Sequence, residues 1–159
     1  MKILIISDTH GKHENLRQVL KKEKPIDMLI HLGDVEGGEA CIKELAGCPT
    51  EIVAGNNDFF TELPLEKEVW LGKYRTLITH GHYYYVGMGI ENIRKEAEAR
   101  SFDVVMFGHT HRPVLEYGER VITLNPGSIS YPRQEGRMPS YIVMNMEEMG
   151  DARFEIKYI

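Results

Sequence analysis

Cysteine is scarce in this chain, with two among 159 residues. Cys41 and Cys48 stand seven positions apart, a spacing that matches neither a redox C-x-x-C pair nor a zinc ribbon, so both are expected to be reduced structural residues. Long apolar runs are missing too. Nothing approaches the roughly 20 residues that a membrane helix needs, although the hydrophobic fraction of 42% is ordinary for a globular protein. There is no excess of positive charge: Lys and Arg number 19 against 24 acidic residues, for a net charge of −5. That balance argues against a polynucleotide groove, which needs clustered basic residues. An anionic substrate would then depend on local positive charge, such as bound metal ions. The N-terminus opens on a strand pattern without a basic, then apolar, then small-residue signal, so a cytoplasmic location is expected. No internal repeat, low-complexity segment or linker composition interrupts the chain, and residues 1–159 are expected to form a single domain.

What recurs is a short apolar run ending at a polar residue beside a glycine. Ile3-Leu4-Ile5-Ile6 leads to Ser7-Asp8-Thr9-His10-Gly11, Met28-Leu29-Ile30-His31-Leu32 to Gly33-Asp34, and Glu51-Ile52-Val53-Ala54 to Gly55-Asn56-Asn57-Asp58. Thr76-Leu77-Ile78 leads to Thr79-His80-Gly81-His82, and Val104-Val105-Met106-Phe107 to Gly108-His109-Thr110-His111. In open α/β sheets ligands collect outside the carboxyl ends of the strands, so these five tips are expected to converge.

Between the tips, Leu16, Val19 and Leu20 mark an amphipathic helix opened near His13 and stopped at Pro25. A second helix is expected over Glu39 to Ala46, with Gly47 as a left-handed cap and Pro49 beyond it. The first half therefore reads β-α-β-α-β, the pattern of a parallel sheet with helical cover. Phe59 to Lys67 reads as a loop beside the site. Glu68–Leu71 and Tyr74–Thr79 read as a hairpin turning at Gly72-Lys73, with Trp70 in the core. Tyr83, Tyr84 and Tyr85 either line a pocket or pack at the domain edge. Ile90, Ile93 and Ala97 mark a third helix. Two further hairpins are expected, Val114–Tyr117 with Arg120–Leu124 and Tyr141–Met146 with Arg153–Tyr158. Parallel units followed by antiparallel hairpins imply an α/β fold of two packed sheets with helices outside.

The tip residues carry chemistry. Asp8 and His10 can point to one side as their strand ends; the Asp34 carboxylate has two oxygens and can bridge two cations. Asn56 offers an amide oxygen, and His80, His109 and His111 offer imidazole nitrogens. A mixed nitrogen and oxygen set suits Mn, Fe, Zn, Co or Ni better than Ca. Asp58 is read as orienting a ligand or a loop, His31 as a satisfied core residue, and Lys21, Lys22 and Lys24 as a solvated helix end.

Asp8-Thr9-His10, Gly33-Asp34, Gly55-Asn56, His80 and Gly108-His109-Thr110-His111, in that order, resemble the calcineurin-like metallophosphoesterases, and in particular their small bacterial and archaeal phosphodiesterases. The likeness extends through Asn125-Pro126-Gly127-Ser128 to Pro132-Arg133. It implies a four-layer α/β/β/α sandwich of two mixed sheets. It further implies that Asp8, His10 and His111 hold one divalent ion, that Asn56, His80 and His109 hold another, and that Asp34 bridges them. Two such ions carry more positive charge than Asp8 and Asp34 return. The centre would stay cationic and activate a bridging hydroxide against a small phosphate ester. Mn is the metal expected first.

One position departs from the family pattern. Many relatives have His or Cys after the motif asparagine, where this chain has Asn57. An amide can donate to a phosphoryl oxygen but is a poor proton donor to a leaving alkoxide. Asn57 and His82 are therefore carried as the residues facing substrate, and the general acid stays open. The alternative is a non-catalytic metal-binding scaffold or interaction module of the same fold, as in the retromer scaffold subunit, which lacks part of the ligand set. A repair nuclease of the superfamily would need more basic surface. A homo-oligomer is implied by resemblance only. Phosphodiesters are expected over monoesters, partly because no arginine cluster is visible at the motif tips.

Overall fold

The computed structural model describes residues 1–148 and 150–159. The first half alternates strands and helices as β1 (Lys2–Ile6), α1 (Glu14–Glu23), β2 (Met28–His31), α2 (Glu39–Ala46) and β3 (Thr50–Ile52). After them come β4 (Glu66–Leu71), β5 (Tyr74–Thr79), α3 (Glu91–Ala99) and β6 (Val104–Met106). The chain ends with β7 (Pro113–Tyr117), β8 (Ile122–Pro126), β9 (Ser140–Asn145) and β10 (Arg153–Tyr158). Two short 3₁₀ turns, His82–Tyr84 and Val86–Met88, precede α3.

These strands form two five-stranded mixed sheets, ordered β10-β9-β1-β2-β3 and β4-β5-β6-β8-β7. In the first, β1 pairs parallel with β2 and β2 with β3, while β9 runs antiparallel beside β1. In the second, β5, β6 and β8 are parallel neighbours and β4 and β7 are antiparallel edges. The hairpins over Glu66–Thr79, Pro113–Pro126 and Ser140–Tyr158 form as expected. The division into a parallel half and an antiparallel half does not hold. The last hairpin crosses back to the first sheet, and β8 inserts between β6 and β7.

Residue alternation along the strands builds the layers. In β1, Ile3 and Ile5 enter the core between the sheets, where they join Ile30, Ile78 and Met106. Leu4 and Ile6 point the other way and are covered by Leu16, Val19 and Ile42 of α1 and α2. On the far side Leu77 and Val105 lie under Ile93 and Ala97 of α3. A four-layer α/β/β/α sandwich results, in which strands are buried on both faces and so read as unbroken apolar runs. Truncating a fully buried Leu16 to Ala should cost about 2–5 kcal/mol.

Local signals place the helices. His13 is the N-cap residue of α1, and Gly47, at φ +65°, closes α2 in the left-handed conformation. Trp70 is a correction. Its neighbours Val69 and Leu71 face the core, so period-two alternation turns Trp70 outward on an edge strand, where it is 62% exposed. Of the three consecutive tyrosines, Tyr83 and Tyr85 are exposed, while Tyr84 donates its hydroxyl to Glu66 at 2.7 Å. No helix among the described residues is long and apolar enough to cross a membrane.

Candidate metal centre

The carboxyl ends of β1, β2, β3, β5 and β6 meet, and the tip residues come together there. Backbone hydrogen bonds lace one tip to the next: Asp8 N to Gly33 O at 3.1 Å, His10 N to Asp34 O at 2.9 Å and Gly108 N to His80 O at 3.1 Å. Two motif glycines are explained by this crowding. A Cβ on Gly55 would stand 2.1 Å from Asp34 Oδ1, and one on Gly108 would stand 2.0 Å from Ser7 Oγ.

The backbone is strained where the donors stand. Asp8, His10, Asp34, His109 and His111 have φ between +46° and +67°, a left-handed conformation that costs about 1–2 kcal/mol per L-residue. Such outliers cluster where side-chain direction matters more than local comfort.

Asp8, His10, Asp34 and His111 each offer a donor atom, and those atoms lie within 4.8 Å of one another. A second set adjoins it: Asn56 Oδ1 lies 3.0 Å from His80 Nε2 and 2.9 Å from His109 Nδ1. Asp34 Oδ2 stands between the sets, 3.7 Å from His10 Nε2 and 3.4 Å from His80 Nε2.

The imidazole tautomers show that these residues fit cations. His80 Nδ1 is 2.6 Å from the Leu32 carbonyl and His111 Nδ1 is 2.6 Å from the Tyr131 carbonyl. His10 Nδ1 is 2.7 Å from the Glu36 carboxylate. Carbonyl and carboxylate oxygens only accept, so each Nδ1 carries a proton and each ring turns its Nε2 inward, the atom whose lone pair a neutral imidazole would offer to a cation. His10 Nε2 and His111 Nε2 face each other at 3.3 Å. Asp8 Oδ1, wholly buried and without a hydrogen-bond donor, lies 3.1 Å from His111 Nε2. Imidazole nitrogens and carboxylate oxygens gathered this closely form a donor set that positive charge would stabilise, whether that charge is a proton or a cation.

Burial and neighbouring charges act in opposite senses on Asp8, Asp34 and His80. Burial alone would raise the Asp8 and Asp34 carboxyls, yet the neighbouring imidazoles, and for Asp34 the hydrogen bonds from Asn57, hold both below the usual carboxylate range. Burial works against a charged His80, but the carboxylates of Asp34 and Asp8 lift its pKa above the usual imidazole value. His109 and His82 are pushed down by burial and by His80.

Asn57 is tied to Asp34 at two points. Its backbone N–H donates to Asp34 Oδ1 and its carboxamide to Asp34 Oδ2, each at 2.9 Å. Asp58 sits beneath the loops and accepts backbone N–H bonds from Asp34, Gly55 and Glu36 at 2.7–2.8 Å. The His82 ring lies 5.4 Å from that of His80 and 6.1 Å from that of His109, with Nδ1 buried and unpartnered among the described residues. His31 is fully buried. It accepts the Gly33 N–H at Nδ1, so its proton sits on Nε2 and is donated to Thr9 Oγ1 at 3.0 Å.

Several contributors escaped the sequence reading. Glu36, two places after Asp34, orients His10. Asn125 donates to Gly108 O and Thr110 Oγ1, while Ser128 donates to Asp8 O, so the Asn-Pro-Gly-Ser stretch braces two donor loops. Arg112, Arg133 and Arg137 gather along a cleft beside His10 and His111. This corrects the expectation that the tips have no arginine cluster nearby. Arg133 and Arg137 lie four residues apart, and the bond of Arg133 N to His111 O at 3.0 Å brings their segment beside Arg112.

A family model described as the calcineurin-like phosphoesterase superfamily domain matches residues 1–149. The chain belongs to that superfamily. The family's "Probable metallophosphoesterase YsnB" of Bacillus subtilis is 36% identical over 148 residues, covering 92% of this chain and 85% of that protein. "Phosphodiesterase YfcE" of Escherichia coli is 30% identical, covering 84% of this chain and 82% of its own length. A Streptococcus pneumoniae crystal structure, described as a predicted phosphoesterase, superimposes with a TM-score of 0.82 at 26% identity, covering 99% of this chain and 88% of that one. Membership accounts for the fold and makes this a phosphoesterase-family chain with a set of residues able to hold metal.

Proposed function

We propose that this protein is a metal-dependent phosphodiesterase acting on small phosphate esters, with two divalent transition-metal ions, Mn foremost. Asp8, His10 and His111 would hold one ion, Asn56, His80 and His109 the other, and Asp34 both. The observation that carries the reading is Asp34 Oδ2 lying between His10 Nε2 at 3.7 Å and His80 Nε2 at 3.4 Å, with the Nε2 atoms of both rings turned toward it. When bound, such ions supply Lewis-acid polarisation of a phosphoryl oxygen and acidify the attacking water.

The chain's own residues have separate tasks. Glu36 and the Leu32 and Tyr131 carbonyls hold the imidazoles in one tautomer, and Asn57 holds both oxygens of Asp34. His82, depressed by burial, is neutral at pH 7 and suits hydrogen bonding to an ester oxygen better than standing proton donation. A diester is favoured over a monoester because it brings one fewer negative charge beside Asp8 and Asp34. The name of the E. coli relative supports the same preference. Residues 1–159 act as one domain in the cytoplasm, a setting in keeping with the free Cys41 and Cys48.

The test couples metal analysis of the purified protein to a panel of nitrophenyl mono- and diesters. Two ions per chain, activity abolished by chelation and restored by Mn, and faster diester turnover are expected. Hydrolysis that survives complete metal removal would sink the mechanism, and a clear monoester preference at neutral pH would reverse the substrate assignment.

A further inference from the structure

The cleft beside His10 and His111 has a volume of about 950 Å³ and runs past Ser130 to Arg133 and Arg137, with Arg112 on its wall. The three arginine side chains are exposed, and none has a carboxylate partner within ion-pair distance among the described residues. Arg75, Arg94 and Arg100, by contrast, are tied to Glu68, Glu116 and Glu66, whereas Arg17, Arg120 and Arg153 are also without a carboxylate partner among the described residues. Glu36 is the one acid lining the cleft, and His10 Nδ1 already occupies it at 2.7 Å. Lys12 adds a fourth positive charge, with Nζ 4.5 Å over the Tyr131 ring, which itself stands edge-on to His10. A chain of net charge −5 thus places four cations without a carboxylate partner among the described residues beside its metal-ligand tips.

The supporting loop is built rather than loose. Ser128 Oγ accepts the backbone N–H groups of Ser130 at 3.2 Å and Tyr131 at 2.7 Å. Gln134 Nε2 donates to Met138 O at 2.5 Å, and Arg137 N bonds to Gln134 O at 3.0 Å, closing a turn that carries Arg137 and follows directly on Arg133. Guanidinium forks match phosphate oxygens in pairs, which an ammonium group does less well.

We infer that this cleft binds a second phosphate of the substrate, one that is not cleaved, so that the preferred substrates are phosphate esters carrying another phosphate group. The reacting phosphate would lie beside His10 and His111, the residues that would hold a metal ion, and the second would extend along Ser130 toward Arg133 and Arg137. The inference rests on the proposed hydrolysis at the metal pair but makes a separate demand on the arginines.

Two nitrophenyl esters test it with the manganese-loaded protein: the ester of thymidine 5′-phosphate, and the same ester bearing a 3′-phosphate. The wild type is expected to favour the second, chiefly through KM. The double variant Arg133→Ala/Arg137→Ala should lose roughly tenfold or more of that preference, and Arg133→Lys/Arg137→Lys should keep part of it. The Arg133 backbone bond to His111 survives these side-chain changes, and Arg137→Ala alone serves should the double variant fold poorly. Calorimetry with thymidine 3′,5′-bisphosphate reads the cleft apart from turnover, and weaker binding by the alanine variants is expected. If neither ester is hydrolysed while the bisphosphate binds in an arginine-dependent way, the hydrolytic reading fails and the cleft assignment stands. Equal loss for both esters, or an unchanged preference together with unchanged bisphosphate affinity in the alanine variants, overturns the assignment.

Discussion

Asn57→Ala separates two roles for the residue that departs from the family pattern. In the structure its carboxamide donates to Asp34 Oδ2 and its backbone N–H to Oδ1, each at 2.9 Å. The substitution removes the first bond and leaves the second. A hydrogen bond to a charged group contributes about 1.5–3 kcal/mol, which corresponds to roughly a 10–100-fold change in an equilibrium constant, the range typical when a ligand's orienting partner is removed. Because Asp34 faces both donor sets, the weakened grip should extend to both ions. Manganese titration by calorimetry, run beside activity as a function of manganese concentration, is the assay. The expected result is a midpoint raised by about 10–100-fold, with kcat regained at saturating metal. An unchanged manganese midpoint with a lowered kcat would refute the reasoning and return the carboxamide to the substrate, where the sequence reading put it. On the structural argument Asn57→His also breaks the Asp34 bond, so any gain on esters with poor leaving groups should appear only at high manganese.

Asp34→Ala should bind metal more poorly than Asp8→Ala, since Asp34 Oδ2 faces His10 and His80 alike; two metals per chain in Asp34→Ala would contradict a bridge. His31, with its pKa pushed down to about 3 by burial, makes the fold acid-sensitive above the usual carboxylate range. Below pH 6.5 the unfolded chain takes up a proton that the folded one refuses, so stability falls as the pH drops from 6.5 toward 3, by about 2 kcal/mol at pH 5. His31→Asn can still accept from Gly33 but does not titrate. Urea unfolding should show this part of the pH dependence reduced in the variant, and identical slopes would refute the assignment. Glu23 is buried and, although burial opposes its charge, hydrogen bonds from Lys2, Tyr141 and Lys157 hold its pKa at about 2. Its contribution is full above pH 4.5 and is lost as the pH falls through 2. Glu23→Gln should therefore cost on the order of 3 kcal/mol at pH 7 and almost nothing at pH 2, as read from denaturant midpoints.

The sequence by itself determined the strands, the helices and the kinds of atom gathered at the tips. Apolar runs of one strand's length, a 3.6-residue stripe in α1 and Gly47 after α2 are local signals, and each acts within a few residues of itself. Parallel strands of one sheet share a carboxyl end, so the grouping of Asp8, Asp34 and Asn56, and of His80 with His109, follows from chain order once the strands are recognised, while the packing of the two sheets brings the groups together. Tertiary structure decided what local signals do not encode. Which sheet β9 and β10 join, and that β8 slips between β6 and β7, depend on which edges remain free after the parallel strands have paired. The outward turn of Trp70 reflects an edge strand whose inner positions were already taken by Val69 and Leu71. The grip of Asn57 on Asp34, the carbonyls of Leu32 and Tyr131 that set the imidazole tautomers, and the meeting of Arg112 with Arg133 and Arg137 are contacts between distant segments. A side chain's donors and charge can be read from its letter. What it touches is decided only when packing brings remote backbone within hydrogen-bond reach.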